Sequence, residues 1–406
     1  MHTYHPLTEA EAVRLARTVS GMFDPGAKLA CREIGDGNLN LVFLIKEDKT
    51  GKSLIMKQAL PYAKVVGESW PLSLDRARIE SEALQIHGEL APGLVPKVYE
   101  TVPELAVTVM EDLSDHVIMR RGLIEGNTYP EFARHIGEFM ARTLFFTSDF
   151  GMNQQEKKVQ AGRFINPDLC KITEDLIFDD PYTDSPNNNF EPNLRKEAEA
   201  LWTDRELHAA VARLRYGFLT KGQALLHGDL HTGSIFVTPQ STKVIDPEFA
   251  FYGPMGFDVG AALANLLLNY AAQGGRMQDE AQLRDFRAYL ADTVVDVWRE
   301  FETRFRALWA EHAVDRLLRE SGYADVFVPE LLRDTFGYAG CKMVRRIVGL
   351  SHVADIDGIA DELLRNRAQR VALAIGKALI KHHASAASIE EIRDIAVQQT
   401  LQKEGR

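Results

Sequence analysis

Apolar residues recur along this chain with a period of 3.6, then of 2, then of 3.6 again, and the changes of period divide it into regions. Ala12, Leu15, Ala16 and Val19 share a helical face behind Thr8 and Glu11, which are spaced as a capping box, so the pattern predicts an N-terminal helix. Three strand-like runs follow, 29–35, 39–46 and 53–59, separated by the turn residues Asp36-Gly37-Asn38 and Asp48-Lys49-Thr50-Gly51; they read as an antiparallel meander. A helix over 74–90 and two more β-type runs, LVPKVYET and LAVTVMED, meeting at Pro103-Glu104, complete a five-stranded sheet with one inserted helix.

Beyond this region the helical period dominates. Amphipathic stretches cover 129–148, 191–216, 258–272, 279–312, 329–349, 359–383 and 388–400, and Thr128 and Glu131 are spaced as a second capping box. Short runs at 235–237 and 243–245 interrupt them with strand character. The Asp-, Pro- and Asn-rich segment 178–193 reads as a long surface loop, and no internal repeat is present. The expected layout is α+β with two lobes: a β-rich lobe over 1–112, a connector near 111–116, and a helical lobe over 113–406.

Composition narrows the class. A chain of 406 residues with 45% hydrophobic content can bury a large core. Its net charge of −11 is spread along the chain and argues against a nucleic-acid or anionic-membrane partner, so an anionic substrate would need a local basic site. Three distant cysteines suggest neither a disulfide framework nor a zinc cluster. The N-terminus has no leader pattern and no segment reaches the ~20 apolar residues of a membrane span, so a cytoplasmic protein is expected.

The chemistry concentrates in LLHGDLHTGSIFVTPQSTKVIDPEF, residues 225–249. Asp229 and Asp246 lie 17 residues apart on either side of a short hairpin, which returns its second end beside its first. Asp229, Asp246 and Glu248 can therefore converge. Phosphoryl transfer needs that combination, one carboxylate to orient a substrate hydroxyl and others to hold Mg²⁺. Singly, each aspartate reads equally well as a turn former; their order, spacing and apolar flanks Leu225, Leu226, Val244 and Ile245 favour the site.

These motifs resemble the protein-kinase-like superfamily in its aminoglycoside and choline phosphotransferase branch, whose catalytic loop reads H-G-D-x-x-x-x-N. His227, Gly228 and Asp229 match, Asp246 matches the metal aspartate, and Ser234 stands where the branch has Asn. HGDLHTGS together with DPEF in place of DFG resembles the 5-methylthioribose kinases, and the resemblance runs over nearly the whole chain. It implies a protein-kinase-like bilobal fold, ATP and Mg²⁺, a homodimer, and phosphorylation of the 1-hydroxyl of 5-methylthioribose in methionine salvage. Asp229 then faces the sugar, and the metal falls to Asp246 and Glu248, with Ser234 the weaker ligand.

In the first lobe, Gly35, Gly37, Asn38 and Asn40 overlay the kinase glycine loop, with Asn40 at the third glycine position and an ordinary hairpin turn as the alternative. By the resemblance, Lys57 contacts the nucleotide phosphates; it is otherwise an outward lysine on an edge strand. Its helix partner is Glu80 or Glu82, which lie about 200° apart on a helix and cannot both face it. Met110, Glu111, Asp112 and Leu113 occupy the hinge, where backbone groups would meet adenine. Trp70 falls in a loop that covers the nucleotide and sugar in the resemblance, or else serves as a packing anchor.

Arg345 and Arg346 sit in an apolar stretch and point about 100° apart, so at least one faces inward, toward either a ligand or a neighbouring carboxylate. The resemblance assigns the pair to the ribose hydroxyls. Asp258 reads as an N-cap and, by the resemblance, as a brace of the catalytic loop. His227 is expected to stabilise its own loop, and His382-His383 to form a solvated helix end. Rival readings are a kinase of the same fold acting on choline, an aminoglycoside or homoserine, and a nucleotide-binding regulator without catalysis; the arginine pair speaks against the former, and Lys57, Asp229 and Asp246 together against the latter.

Overall fold

The computed structural model describes residues 4–19, 21–34, 40–63 and 67–405. Gly35, Gly37 and Asn38 lie outside them, as does the side chain of Trp70.

The period-2 runs form one antiparallel sheet, in the order Leu29–Glu33, Asn40–Glu47, Ser53–Ala59, Val107–Glu111, Val98–Val102. Alternation decides what each face does. Leu54 and Met56 are fully buried with Phe43, Ile45, Val107 and Val109 against the helix Glu9–Val19, while Ile55 and Lys57 point to the other face. The Thr8–Glu11 capping box forms as predicted: Glu11 Oε2 accepts from the Thr8 N–H at 2.9 Å, and the Glu11 N–H donates to Thr8 Oγ1 at 3.4 Å. The inserted helix is Asp75–Leu90, with Ile79 and Ala83 packed on Leu225 and Ala250 of the helical region and Leu84 in the main core. It thus belongs to both lobes by contact.

At the centre of the helical lobe is Met255–Gln273, all of whose residues are buried, as its nearly continuous apolar sequence requires. Glu280–His312, Ala324–Val348 and Glu362–His382 surround it. The hairpin of the catalytic stretch pairs Ile235–Val237 with Thr242–Val244, and Val117–Ile118 adds a third strand.

Several expectations change. The stretch 191–216 is two helices, Arg195–Trp202 and Arg205–Thr220, because Asp204 caps the second by accepting from the Leu207 N–H. Besides three short helices of four to six residues, two longer ones among the described residues went unread, Gln154–Arg163 behind the cap Asn153 and Pro167–Phe178 with proline in its first turn; their starting signals were in the sequence, but their apolar faces are narrow. The second capping box does not form: the helix there is Phe132–Phe146, Glu131 bonds Arg134, and the Tyr129 N–H goes to the Tyr289 hydroxyl. Segment 178–193 is a loop in part only, since Tyr182 is buried and Asp180 accepts from Ser185 Oγ and Asn187 Nδ2. His383 is buried and donates to the Ile380 carbonyl, so only His382 lies at a partly solvated end.

Gly340 and Gly376 meet where Ala324–Val348 crosses Glu362–His382: a Cβ on Gly340 would stand 2.5 Å from the Gly376 carbonyl oxygen. Gly340→Ala should therefore lower the unfolding free energy by ~1–3 kcal/mol in a denaturant titration, although alanine is the better helix former. An unchanged midpoint would mean that the helices are not in this contact.

Candidate active site

A cavity of about 430 Å³ lies between the sheet and the helical region. Ile34, Val42, Ile55, Met110, Leu113, Phe236 and Ile245 give it apolar walls, and Asn40, Lys57, Glu80, Asp229, Asp246 and Glu248 gather at one end. An apolar slot ending in charge suits a purine nucleotide. Glu111 and Asp112 also line it, yet their carboxylates are engaged: Glu111 accepts from the Lys97 N–H and Lys243, and Asp112 from Ser53 Oγ. The hinge is left to offer backbone groups.

Lys57 lies on the cavity face of its strand and reaches Glu80 Oε1 at 2.7 Å, with Asp246 bonded on its other side. Glu80 is therefore the helix partner; Glu82 faces away and pairs with Arg78 and Arg163. Burial alone would lower the Lys57 ammonium, but Asp246, Glu80 and Glu248 outweigh it and hold it above its usual range. Asp246 adopts a left-handed backbone, φ 69°, a conformation that costs a non-glycine residue about 1–3 kcal/mol and is sustained only by its surroundings.

Glu248 is buried and pairs with Arg76 at 2.5 Å. Arg76 Nη1 also donates to Asn40 Oδ1 at 2.7 Å, and Asn40 Nδ2 to Glu248 at 3.3 Å, so the Asn40 side chain ties the glycine-loop strand to the DPE carboxylate. Arg76 escaped sequence reading. The available signal was its place four residues before Glu80 on the same helix face.

Oxygens of Glu80, Asp246 and Glu248 lie within 4.8 Å of one another. Three carboxylates against two cations make a donor set that suits a hard divalent cation. Ser234 does not line the cavity; its buried hydroxyl is set against His231 Nδ1 at 3.3 Å.

The catalytic loop is held from behind. Asp258 accepts from the backbone N–H groups of His227 and Gly228, at 2.6 and 3.0 Å. It is not an N-cap, because the helix starts earlier, at Met255; the brace alone is realised. His227 donates through Nε2 to the Ile245 carbonyl and accepts from the Asp229 N–H, so it joins the loop of Asp229 to that of Asp246. Gly228 has φ +84° and lies against Phe249, where a Cβ would stand 2.1 Å from the carbonyl oxygen.

Asp229 contacts Lys342 Nζ at 3.0 Å and His231 Nε2 at 3.3 Å. Burial would raise its carboxyl; Lys342, His231 and Arg345 more than reverse that and hold it well below the usual carboxylate range. Arg345 and Arg346 are both buried. Arg346 donates to Ser351 and to the His352 carbonyl, whereas Arg345 Nε is buried with no hydrogen-bond partner. Arg120 was also missed; it pairs with the buried Asp355 at 3.3 Å and lies against Gly233 of the catalytic loop.

Arg76→Met should leave Glu248 buried without its counter-ion and cost ~3–5 kcal/mol in urea denaturation. A variant as stable as the parent would mean that Glu248 is solvated.

Comparisons with known proteins show what the chain is similar to. A model of the phosphotransferase enzyme family, APH, matches residues 30–303. A methylthioribose kinase of Geobacillus sp. (strain WCH70) is 53% identical over 398 residues, covering 98% of this chain and 97% of the relative. Those of Geobacillus thermodenitrificans (strain NG80-2) and Bacillus cereus (strain 03BB102) are 52% and 50% identical, covering 97% and 98% of both chains. Among the described residues no helix is long and apolar enough to cross a membrane.

Proposed function

The chain belongs to the methylthioribose kinases within the phosphotransferase enzyme family, and from that premise we propose how its residues divide the work. It is a kinase that phosphorylates methylthioribose at the expense of ATP. The acceptor in our reading is the 1-hydroxyl, and the sugar 1-phosphate so formed places the enzyme in methionine salvage. The observation that carries the sugar site is Arg345 Nε, buried without a partner on a side chain whose charge reaches Asp229. A buried unsatisfied guanidinium nitrogen costs about 1–3 kcal/mol or more, a cost that a sugar hydroxyl would remove.

In this reading adenine enters the apolar slot against the backbone of Met110–Leu113, with Gly35, Gly37, Asn38 and Asn40 over the phosphates. Lys57 faces those phosphates. Asp246 and Glu248 would hold Mg²⁺, with Ser234 at most a lesser ligand since His231 engages it; the metal supplies neutralisation of phosphate charge. Asp229 orients the hydroxyl for in-line attack and accepts its proton. An anomeric hydroxyl is more acidic than an ordinary alcohol, so a weakly basic carboxylate suffices, and positioning supplies most of the rate. The lobe division at 112/113 follows from the hinge. The chain is expected to act as a homodimer, and light scattering tests it.

An ADP-release assay over 5-methylthioribose, choline, homoserine and kanamycin should give turnover with the first alone; none with it would end the substrate assignment. Asp229→Ala should cut kcat by ~10²–10⁴-fold while leaving ATP affinity by calorimetry nearly intact. Arg345→Ala should raise the sugar KM by roughly 10–100-fold, the worth of a hydrogen bond to a charged group, and leave the ATP KM alone. Equal effects on both would place Arg345 in the core.

A further inference from the structure

Helix Ala324–Val348 carries a third cation on the face of the arginine pair. Lys342 stands three residues before Arg345 and four before Arg346, a spacing that brings side chains together on a helix. Its side chain is only 4% exposed, its ammonium lies 3.0 Å from Asp229 Oδ1, and Nζ stands 4.5 Å from the centre of the Phe257 ring. Asp229 is the one carboxylate within ion-pair distance of it among the described residues. An ammonium withdrawn that far from water for a single carboxylate adds little net stability, because desolvation consumes most of the Coulombic gain. Net stability gives little reason for a lysine here.

The other oxygen of Asp229 meets His231 Nε2. The Gly233 N–H donates to His231 Nδ1 at 3.1 Å, so the proton of the neutral ring sits on Nε2 and points at the carboxylate. Two donors from separate elements therefore grip Asp229, which still lines the cavity with its remaining lone pairs.

We propose that Lys342 is a positioning residue for phosphoryl transfer, clamping Asp229 Oδ1 so that the carboxylate stays ionised and turned toward the sugar hydroxyl. The inference rests on the assignment of Asp229 above. In the step it serves, the hydroxyl proton passes to Asp229 as the sugar oxygen bonds to the γ-phosphorus. The bond to the departing ADP breaks at the same phosphorus. Burial lowers the Lys342 ammonium to about 8, with Asp229 only partly offsetting it, so the clamp carries its charge below that pH and passes no proton in the step. An ion-paired carboxylate is a weaker base, and the anomeric hydroxyl tolerates that; fixed orientation is what the pair contributes. Besides Lys342, the charged or titratable groups facing Asp229 are Arg345 and Arg346 from the same helix and His231 and His227 from its own loop.

Lys342→Met should lower kcat by ~10²-fold, leave the ATP KM unchanged, and cost less stability than Arg76→Met, because Asp229 keeps His231 and opens on the cavity whereas Glu248 is buried. Its largest opposing charge removed, Asp229 should take up a proton at higher pH, so the acid limb of kcat/KM moves up. Lys342→Arg keeps the charge and should keep the acid limb in place. In an Asp229→Asn background, Lys342→Met should cost less than about threefold further, because the two act as one unit. Should the methionine variant fail to fold, Lys342→Gln is read by the same kcat and pH criteria. Turnover within threefold of the parent with an unmoved acid limb overturns the proposal, as does a full additional loss in the Asp229→Asn background. If Asp229→Ala itself retains activity, the assignment of Asp229 fails instead.

Discussion

One ammonium holds the two lobes in register. Lys57 comes from the sheet, Glu80 from the helix beside it and Asp246 from the far side of the cavity, and all three meet within hydrogen-bond distance. A lysine this deeply buried is tolerable only with its carboxylates in place. The alternation of the strand Ser53–Ala59, the rotation of the helix Asp75–Leu90 and the approach of the catalytic hairpin must therefore all be right together. Arg76 makes a parallel link between Asn40 and Glu248. The pair of links leaves one carboxylate in excess, which is the electrostatic ground for a divalent cation beside the nucleotide phosphates.

The acidic loops are held in left-handed conformations, costly at Asp246, by groups behind them. Gly228 and Asp246 both have left-handed backbones. The first is braced by Asp258, and His227 connects the loop that follows it to Ile245, next to the second. These braces come from a wholly buried helix and a short hydrogen-bonded hairpin. Rigidity of this kind is what a reaction driven by positioning requires.

Around Asp229 the charges invert. Lys342, Arg345, Arg346 and Arg120 gather near Asp229 and Asp355, so cations outnumber carboxylates there, while carboxylates outnumber cations around Lys57. In the proposed reading, a nucleotide arrives with its metal at the acidic side. The same reading leaves the phosphorylated sugar on the basic one. This gradient lies along the direction in which a phosphoryl group would move.

Local spacing by itself determined the sheet, the catalytic hairpin and the acidic triplet Asp229, Asp246 and Glu248, because a period of 2, a turn and a 17-residue return are properties of contiguous chain. The motif HGDLHTGS with DPEF identified the family for the same reason. Sequence could not choose between Glu80 and Glu82, since both lie on one helix and only the sheet's position says which faces Lys57. It left Arg76 and Lys342 unread, because each acquires its meaning from a carboxylate 172 or 113 residues away. It made Asp258 an N-cap where the helix begins three residues earlier, on tertiary packing rather than on a cap. What the tertiary structure alone decided was pairing: which buried charge meets which. That depends on distances between segments remote in sequence, and no local pattern encodes them.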